Sequence, residues 1–466
     1  MKKSIIALML FGATLGAKAT DRTDWMSAID DRTYVSQLSI PGTHDSATGH
    51  GWTGFYGVMG GATMATTQER TIAEQLELGV RALDLRPGVA GDHLYLFHGK
   101  CQTKLGLWGA LNACRNFLAF HPGEFIFISM RHETEGDSNN SKYAEMAKAE
   151  LSNFADYIVD FDPELTVGDC RGKIIITSRD DIDFAPMGRI YGWSNNTELC
   201  DAYISRNGRE AHLLLQDHYD CTGDGGITVK TQAISALMNK SRYLNTEYSN
   251  VGTWVINHCS GYMTAASSAS NKEVAELTSK AVIYILKDTE WLDDCGPSGI
   301  MMMDFAGCDA AYSGTVSLID AIIDNNEGYM PIGKYAVTKK PVVTFDGKRL
   351  LTIKTPEGCP PTFTLDVTIK LDGEVLVEET YRSWTWNFDT KRYTLETPGK
   401  YIVKAKMSGP SYPTPVSTNK TFTLEDTAIE QVESDTPASP IYNLQGLPVA
   451  RPTHGLYIIN GRKILR

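Results

Sequence analysis

The side chains best suited to catalysis follow short apolar segments of the sequence. His44 and Asp45 come directly after residues 39–43, and His98 comes directly after residues 94–97. A carboxylate beside an imidazole orients the ring and favours its charged form, so the imidazole can act as an acid or a base near neutral pH. Taken alone, His44 and Asp45 could equally serve only to hydrogen-bond the turn that contains them.

Polar residues follow the other apolar segments as well. Asp84 and Arg86 stand two positions apart, so that on a strand both side chains share one face. The remaining candidates are His132, Arg179, Asp217, Tyr219 and Asp304. An arginine can hold a phosphate through two parallel hydrogen bonds and stabilise charge that develops at phosphorus. The set therefore suits cleavage of a phosphodiester, although a single member such as His132 could equally be structural.

The apolar segments themselves predict a closed (β/α)8 barrel. Eight such segments occur, at residues 39–43, 80–86, 94–97, 124–130, 173–177, 212–216, 254–256 and 299–303. Helical patterns separate most of them, at about 106–121, 141–154, 229–243, 271–288 and 313–325. Apolar strands that alternate with helices indicate a parallel sheet covered on both faces, and a barrel of this kind builds its active site at the carboxyl ends of its strands.

One connection in this pattern is too short for a regular barrel. Only about seven residues separate Arg86 from residue 94, whereas a parallel crossover needs about a dozen or more, so we expect a missing helix there. A glycine-rich loop from about 48 to 66 carries aromatic side chains, and a helix with Thr67 as its N-cap is expected after it. Those aromatics could enter a lipid interface or fold back as the core of a lid.

Composition and the chain ends predict four parts within the 466 residues. Residues 1–19, with two lysines, an apolar run and Ala17-Lys18-Ala19, predict a signal peptide, so we expect an exported protein, either secreted or at the cell surface or in the periplasm. The barrel is predicted over 20–338, and alternating segments over 341–425 predict a β-sandwich. Residues 426–466 are interpreted as a linker and a tail that resembles Bacteroidetes-type sorting segments, with a simple hairpin as the alternative.

Charge and cysteine content narrow the possible partners. The net charge of −12 argues against nucleic acid as a partner, and we expect a monomer. Nine cysteines show no Cys-x-x-Cys spacing, so no zinc site is indicated, although disulfides such as Cys101–Cys114 or Cys200–Cys221 are plausible in an exported protein.

Trp384 and Trp386 could bind a sugar or a membrane, or pack within the sandwich.

Taken in order, these motifs resemble those of bacterial phosphatidylinositol-specific phospholipases C. The resemblance covers about residues 25–330. It is carried by Ile-Pro-Gly-Thr-His-Asp-Ser within 39–46 and by residues 81–86, 97–99, 171–179, 216–219 and 303–304. It implies a distorted TIM barrel. It also implies attack of the inositol 2-hydroxyl on phosphorus, which yields diacylglycerol and inositol 1,2-cyclic phosphate from phosphatidylinositol at a membrane surface.

The resemblance also implies a role for each candidate residue. His44 is similar to the family's general base, oriented by Asp304, and His98 to its general acid, supported by Asp45. Arg86, fixed by Asp84, would bind the phosphate. Three further residues would contact inositol: Arg179 and Asp217 by hydrogen bonds, and Tyr219 by stacking. His132 is also counted among the substrate-binding residues, although relatives often carry a lysine at its position. Calcium-dependent relatives carry an acid in place of Arg86, so no metal or other cofactor is expected.

Two other functions remain open from the sequence. A metal-dependent glycerophosphodiester phosphodiesterase would share the barrel and the two histidines, but that family usually shows His-Arg-Gly and Glu-x-Asp where this chain has His44-Asp45-Ser46 and Asp84-x-Arg86. A non-catalytic surface protein that binds inositol or glycan headgroups would have no need of the acid, the base and their carboxylates. Activity that persists in a chelator would argue against the metal-dependent phosphodiesterase, and turnover of a substrate would argue against the non-catalytic binding protein.

Overall fold

The computed structural model describes most of the chain. It covers residues 22–264, 267–308, 317–335, 339–382 and 390–425, with the short stretches 441–444, 447–449, 456–459 and 462–465. The expected signal peptide, Trp384 and Trp386, and the linker over 426–440 lie outside these residues. Among the helices that are described, none combines the length and apolar character needed to span a membrane.

The described residues before 304 form thirteen strands. They are β1 (Ser39–Thr43), β2 (Trp52–Thr53), β3 (Ala82–Leu85), β4 (Pro87–Ala90), β5 (His93–His98), β6 (Cys101–Gly106), β7 (Ile126–Met130), β8 (Ile174–Ser178), β9 (Gly188–Tyr191), β10 (Cys200–Arg206), β11 (Arg209–Gln216), β12 (Thr253–His258) and β13 (Gly299–Met303). Nine of them close a barrel in the order β1-β3-β7-β8-β9-β10-β11-β12-β13. Strands β2, β4, β5 and β6 form a separate antiparallel sheet. The expected TIM-barrel architecture is thus confirmed, in a distorted form.

Eight helices in the described residues accompany the barrel, and all but the two short ones at Val167–Cys170 and Thr289–Asp293 lie where the sequence pattern predicts a helix. They are α1 (Ile72–Glu77), α2 (Leu107–Phe120), α3 (Asn140–Ser152), α4 (Val167–Cys170), α5 (Gly226–Ser241), α6 (Ser268–Lys287), α7 (Thr289–Asp293) and α8 (Leu318–Asn325). The predicted cap of α1 is wrong: Thr71 caps it through a capping box with Glu74, whereas Thr67 is buried beside the barrel mouth. The glycine-rich loop before it is mainly helical, from Gly54–Tyr56 through Gly57–Gly61 to Ala62–Met64.

The barrel differs from the predicted set of eight strands in two respects. The segment at 94–97 lies in β5, outside the barrel, which agrees with its short connection to Arg86. Strands β9 and β10 were not predicted. Every neighbouring pair in the barrel is parallel except the two pairs made by β10, which runs antiparallel to β9 and β11. Asn207 and Gly208, both with positive φ, form the two-residue turn between β10 and β11.

A buried ion pair lies beneath the strand that carries Asp84. Arg81 and Glu124 are both fully buried, and Arg81 Nε lies 2.8 Å from Glu124 Oε2. Arg81 also donates to the carbonyl oxygens of Leu76, Val80 and Thr23, so its guanidinium is almost fully hydrogen-bonded. This pairing ties the start of β3 to the segment that leads into β7.

A second core, composed of antiparallel strands, follows the barrel. Strands β14 (Val342–Phe345), β15 (Leu350–Lys354) and β18 (Thr390–Thr394) form one sheet, and β16 (Thr364–Leu371), β17 (Glu374–Arg382), β19 (Gly399–Ser408) and β20 (Val416–Leu424) form another. Strands β21 (Leu456–Ile459) and β22 (Arg462–Leu465) make a terminal hairpin. All nine cysteines are free thiols, so neither disulfide considered above is formed.

Candidate active site

A cavity of about 730 Å³ opens at the carboxyl ends of the parallel barrel strands. Six of the ten predicted site residues line it: His44, Arg86, His98, Asp217, Tyr219 and Asp304. Asp45 and Asp84 contact Arg86, and Arg179 contacts Asn195, which also lines the cavity. The structure therefore brings nine of the ten candidates together.

His44 is held between two carboxylates. Its Nδ1 lies 2.8 Å from Asp304 Oδ1, and its Nε2 lies 3.2 Å from Asp45 Oδ2. Burial alone would lower the pKa of His44, but Asp45 and Asp304 outweigh it and raise the pKa from 6.5 to about 9. His44 follows β1 and Asp304 follows the neighbouring strand β13, so the pairing of these strands determines the distance between the two side chains.

His98 has a different environment. Its Nδ1 lies 2.7 Å from the carbonyl oxygen of Ala65. Because a carbonyl oxygen can only accept, Nδ1 must carry the proton, and Nε2 faces the cavity 3.5 Å from Asp45 Oδ2. The rings of His44 and His98 are 6.1 Å apart, centre to centre. One oxygen of Asp45 thus lies near both imidazoles.

Arg86 lies in a group of buried acids. Its Nε is 3.1 Å from Asp45 Oδ1, one terminal nitrogen is 2.9 Å from Asp84 Oδ2, and the other is 3.8 Å from Glu133 Oε2. Burial raises the pKa of Asp84, but Arg86 more than reverses this effect and the pKa falls well below its usual value. His44, Asp45 and Asp84 are close enough to hold a metal ion, yet Arg86 already forms ion pairs with both carboxylates.

A second group of polar and aromatic residues, around Asp217, is suited to binding a polyhydroxylated ring. The guanidinium of Arg179 lies 4.1 Å from the centre of the Trp193 ring, and its terminal nitrogen donates to Asn195 Oδ1 at 2.9 Å. Trp193 Nε1 donates to Asp217 Oδ2 at 2.9 Å. Burial, together with the nearby arginines, lowers the pKa of Arg179 to about 10, which leaves it charged at neutral pH. Tyr219 supplies an aromatic ring on the same side.

His132 is the one candidate whose side chain neither lines the cavity nor contacts a side chain that lines it. It is buried, with Nδ1 2.9 Å from Asn140 Oδ1 and Nε2 3.0 Å from Asp137 Oδ2, and its ring stacks on Tyr143. Arg131, one position earlier, lines the cavity instead. Both imidazole nitrogens of His132 are engaged inside the protein, so it is not available to a substrate.

Sequence reasoning also missed several residues around the cavity. They are Arg131, Glu133, Trp193, Asn195, His258 and Tyr262. Arg131 and Glu133 could have been predicted, because they occupy alternate positions on either side of His132 at the end of the same strand. Burial lowers the pKa of His258 to about 4, so it is uncharged at neutral pH. Trp193 and Asn195 lie between β9 and β10 and could be placed only after those strands were recognised.

Fold and site together define a TIM-barrel protein with an acid–base centre at the carboxyl ends of its strands. The chain is 27% identical over 296 residues to the 1-phosphatidylinositol phosphodiesterase of Listeria monocytogenes, which covers 60% of this chain and 80% of that protein. The Staphylococcus aureus enzyme of the same name is 25% identical over 345 residues and covers 70% of this chain and 97% of its own length.

Solved structures give the same result for the fold. A phosphatidylinositol-specific phospholipase C from Staphylococcus aureus superposes with a TM-score of 0.54 at 20% identity, over 66% of this chain and 97% of the other. The Listeria monocytogenes phospholipase gives a TM-score of 0.50 at 22% identity, over 66% and 99%. No protein-family model matches the chain. The chain is thus similar in sequence to bacterial 1-phosphatidylinositol phosphodiesterases, and its barrel has the fold of the bacterial phosphatidylinositol-specific phospholipases C.

Proposed function

We propose that this protein is a phosphatidylinositol-specific phospholipase C that releases diacylglycerol and inositol 1,2-cyclic phosphate. The observation that carries the proposal is the placement of two differently supported histidines, His44 and His98, in one cavity with Arg86, where all three side chains contact Asp45. A base, an acid and a phosphate-binding cation are the three groups that an intramolecular transfer at phosphorus requires.

The reaction follows from this arrangement. His44 takes the proton of the inositol 2-hydroxyl, whose oxygen attacks phosphorus and closes the cyclic diester. The bond between phosphorus and the diacylglycerol oxygen breaks, and His98 gives its proton to that oxygen. Arg86 binds the non-bridging oxygens, while Arg179, Asp217 and Tyr219 hold the inositol ring. His44 then returns its proton to solvent and His98 regains one.

No metal ion is needed in this scheme. Arg86 already provides, between Asp45 and Asp84, the positive charge that a cation would supply. The test is phosphorus NMR of the purified protein with phosphatidylinositol micelles and excess EDTA, beside a His44→Ala control. We expect a cyclic inositol phosphate signal that is absent from the control. Activity that appears only when calcium is restored would contradict the metal-free scheme, and no product in either condition would contradict the assigned activity.

We propose that the helical segment 54–64, at the cavity mouth, contacts the lipid surface. Phe55, Val58 and Met59 are each more than 70% exposed, whereas Trp52 packs inward against Gly61. Burying apolar side chains of this size in a membrane is worth about 1.5–3 kcal/mol each. The loop 48–66 thus combines both arrangements considered from the sequence: Trp52 packs inward, and Phe55, Val58 and Met59 face outward.

We also propose that the protein is exported and acts as a monomer, with the barrel over 20–338 as its catalytic domain and 341–425 as an accessory domain. The signal-like sequence over 1–19 supports export. The separate cores of the barrel and the sandwich support the boundary between them.

A further inference from the structure

We propose that Gln68 is a positioning residue that keeps the general base at hydrogen-bond distance from its carboxylate. This inference rests on the proposed function, because it concerns the pair His44–Asp304. Gln68 is 1% exposed and does not line the cavity. It therefore acts through the backbone of the residues that do.

The side-chain amide of Gln68 binds both catalytic turns. Its Nε2 donates to the carbonyl oxygen of His44 and to that of Met303, each at 2.9 Å. Its Oε1 accepts from the backbone nitrogen of Ala306 at 3.1 Å. One amide thus spans the chain that carries His44 and the chain that carries Asp304, with both of its donor hydrogens and its acceptor in use.

Among the described residues, only one backbone hydrogen bond of the ladder reaches into the two turns, from His44 N to the carbonyl oxygen of Met303 at 3.0 Å, and the Gln68 amide adds its side-chain bonds to it. The register of β1 and β13 stops at Thr43 and Met303. Beyond it, Asp45 and Phe305 have φ of 44° and 51°, in the left-handed region that residues other than glycine rarely adopt. Such conformations persist only where the surrounding contacts enforce them.

Neighbouring hydrogen bonds hold the Gln68 side chain and its backbone in place. The backbone nitrogen of Gln68 donates to Thr48 Oγ1 at 2.8 Å, which fixes the segment itself. Phe305 N donates to the carbonyl oxygen of Thr67 at 2.6 Å, and the Thr67 hydroxyl lies 3.3 Å from the carbonyl oxygen of Asp45. The pair Thr67-Gln68 therefore binds both left-handed turns at once.

Removing the amide should let the two turns separate. Misplacing a catalytic group by about 1 Å costs about 100-fold in rate. For Gln68→Met, which retains the volume but not the hydrogen bonds, we expect kcat to fall by about 10- to 100-fold with little change in KM. The pKa of His44 should also fall, since Asp304 helps to raise it, so the acid limb of the pH–rate profile should move to lower pH.

Two companion variants separate hydrogen bonding from packing. Gln68→Glu retains the size and the acceptor for Ala306 but sets an oxygen against two carbonyl oxygens, so we expect a kcat at or below that of Gln68→Met. Gln37→Met is the matched control: Gln37 is fully buried and donates to the carbonyl oxygen of Leu244, remote from the cavity. It should lower the melting temperature without moving the pH profile.

The deciding measurement is NMR of the proton between His44 Nδ1 and Asp304, recorded without substrate on the wild type and the three variants. We expect the downfield resonance in the wild type and in Gln37→Met, and its loss or broadening in both Gln68 variants. A resonance that survives in the Gln68 variants, or a kcat within about threefold of wild type, would overturn the inference. Because this measurement needs no turnover, it remains informative even if the wild type fails to cleave phosphatidylinositol.

Discussion

At the scale of single residues, the two histidines differ because their neighbours differ. His44 lies between the carboxylates of Asp45 and Asp304, which raise its pKa, whereas His98 donates from Nδ1 to the carbonyl oxygen of Ala65. A carboxylate stabilises the protonated ring that the base becomes, and a carbonyl fixes which nitrogen the acid presents. The same side chain can therefore take opposite roles a few ångströms apart.

Replacing Asp304 tests the first of these environments. In the free enzyme His44 must lose its proton before it can act, so the acid limb of kcat/KM should lie above the ordinary histidine pKa of 6.5. Asp304→Asn removes a carboxylate that raises this pKa, so the limb should move to lower pH. We also expect kcat to fall by about 100- to 10,000-fold, as orientation of the base is lost.

The pH–rate profile of Asp304→Asn is the measurement that checks this. A limb that stays in place while kcat falls would show that His44 is not the group whose titration limits the rate. Asp320→Asn is a suitable control, because Asp320 is a surface residue paired with Arg22.

The pair Arg131 and His132 gives a second residue-scale test. Arg131→Gln should raise KM by about tenfold, since a charged hydrogen bond to substrate is worth about 1.5–3 kcal/mol. His132→Gln should instead lower the melting temperature, because it disrupts the buried contacts to Asp137 and Asn140. Steady-state kinetics beside thermal unfolding distinguishes the two, and the reverse pattern would restore His132 as a substrate ligand.

This pair also shows what the sequence could specify. The polar segment after β7 was correctly predicted to adjoin the site, because strand ends meet at one rim. Which of two consecutive residues faces the cavity depends on the path of the chain once it leaves the strand. That path is set here by tertiary contacts, including the 2.6 Å bond from His132 N to Asp180, which no local pattern reveals.

At the scale of elements, β3 depends on the buried pair of Arg81 and Glu124. Arg81→Met would leave a buried carboxylate without its partner, which should cost about 3–5 kcal/mol in the free energy of unfolding. The double variant Arg81→Met/Glu124→Met should recover most of this loss, because no unpaired charge remains. Denaturant unfolding measures both, and equal losses in the single and double variants would contradict the account.

The helical segment 54–64 is the element for which membrane binding can be tested. Phe55→Ser/Met59→Ser should weaken binding to phosphatidylinositol vesicles by about 10-fold or more, since each side chain contributes about 1.5–3 kcal/mol on burial. Hydrolysis of a monomeric short-chain substrate should change little, as neither side chain lines the cavity. Vesicle sedimentation beside that assay checks both, with the exposed Phe120→Ser as control.

Strand prediction succeeded where burial alone determines the pattern. The parallel strands β1, β7 and β8 are buried at every position, and continuous apolar runs identified them. Strands β9 and β10 alternate between buried and partly exposed residues and were overlooked. The Asn207-Gly208 dipeptide, a strong hairpin signal, was the cue that would have found β10.

At the scale of the whole molecule, the barrel and the sandwich each have their own core. One contact between the two regions is the hydrogen bond from Gly333 N to Ser411 Oγ at 3.2 Å. The change of pattern near residue 340 was visible in the sequence, because strands that alternate in polarity replace strands that are uniformly apolar. How the two regions meet was not visible, since it depends on a few surface contacts.

Truncation tests this organisation. A chain that ends at residue 340 should retain kcat on a monomeric substrate within about threefold, because every residue assigned to the reaction lies before Phe305. Its melting temperature should change by only a few degrees. Kinetics and calorimetry of the shortened chain are the measurements, and loss of activity in a folded barrel would show that the sandwich contributes to the site.

The reversed strand β10 has one more consequence. Because β9 and β10 are antiparallel, the loop that joins them, residues 192–199, returns to the catalytic rim without a helix between. It delivers Trp193 to Asp217, Asn195 to Arg179, and Asn196 to the backbone of Tyr219. Eight consecutive residues thus contact all three residues that we propose to hold the inositol ring. The loop 192–199 can therefore be replaced as one continuous segment, in evolution or in the laboratory. Such a replacement would change which lipid headgroup is preferred and leave His44, His98 and the barrel unchanged.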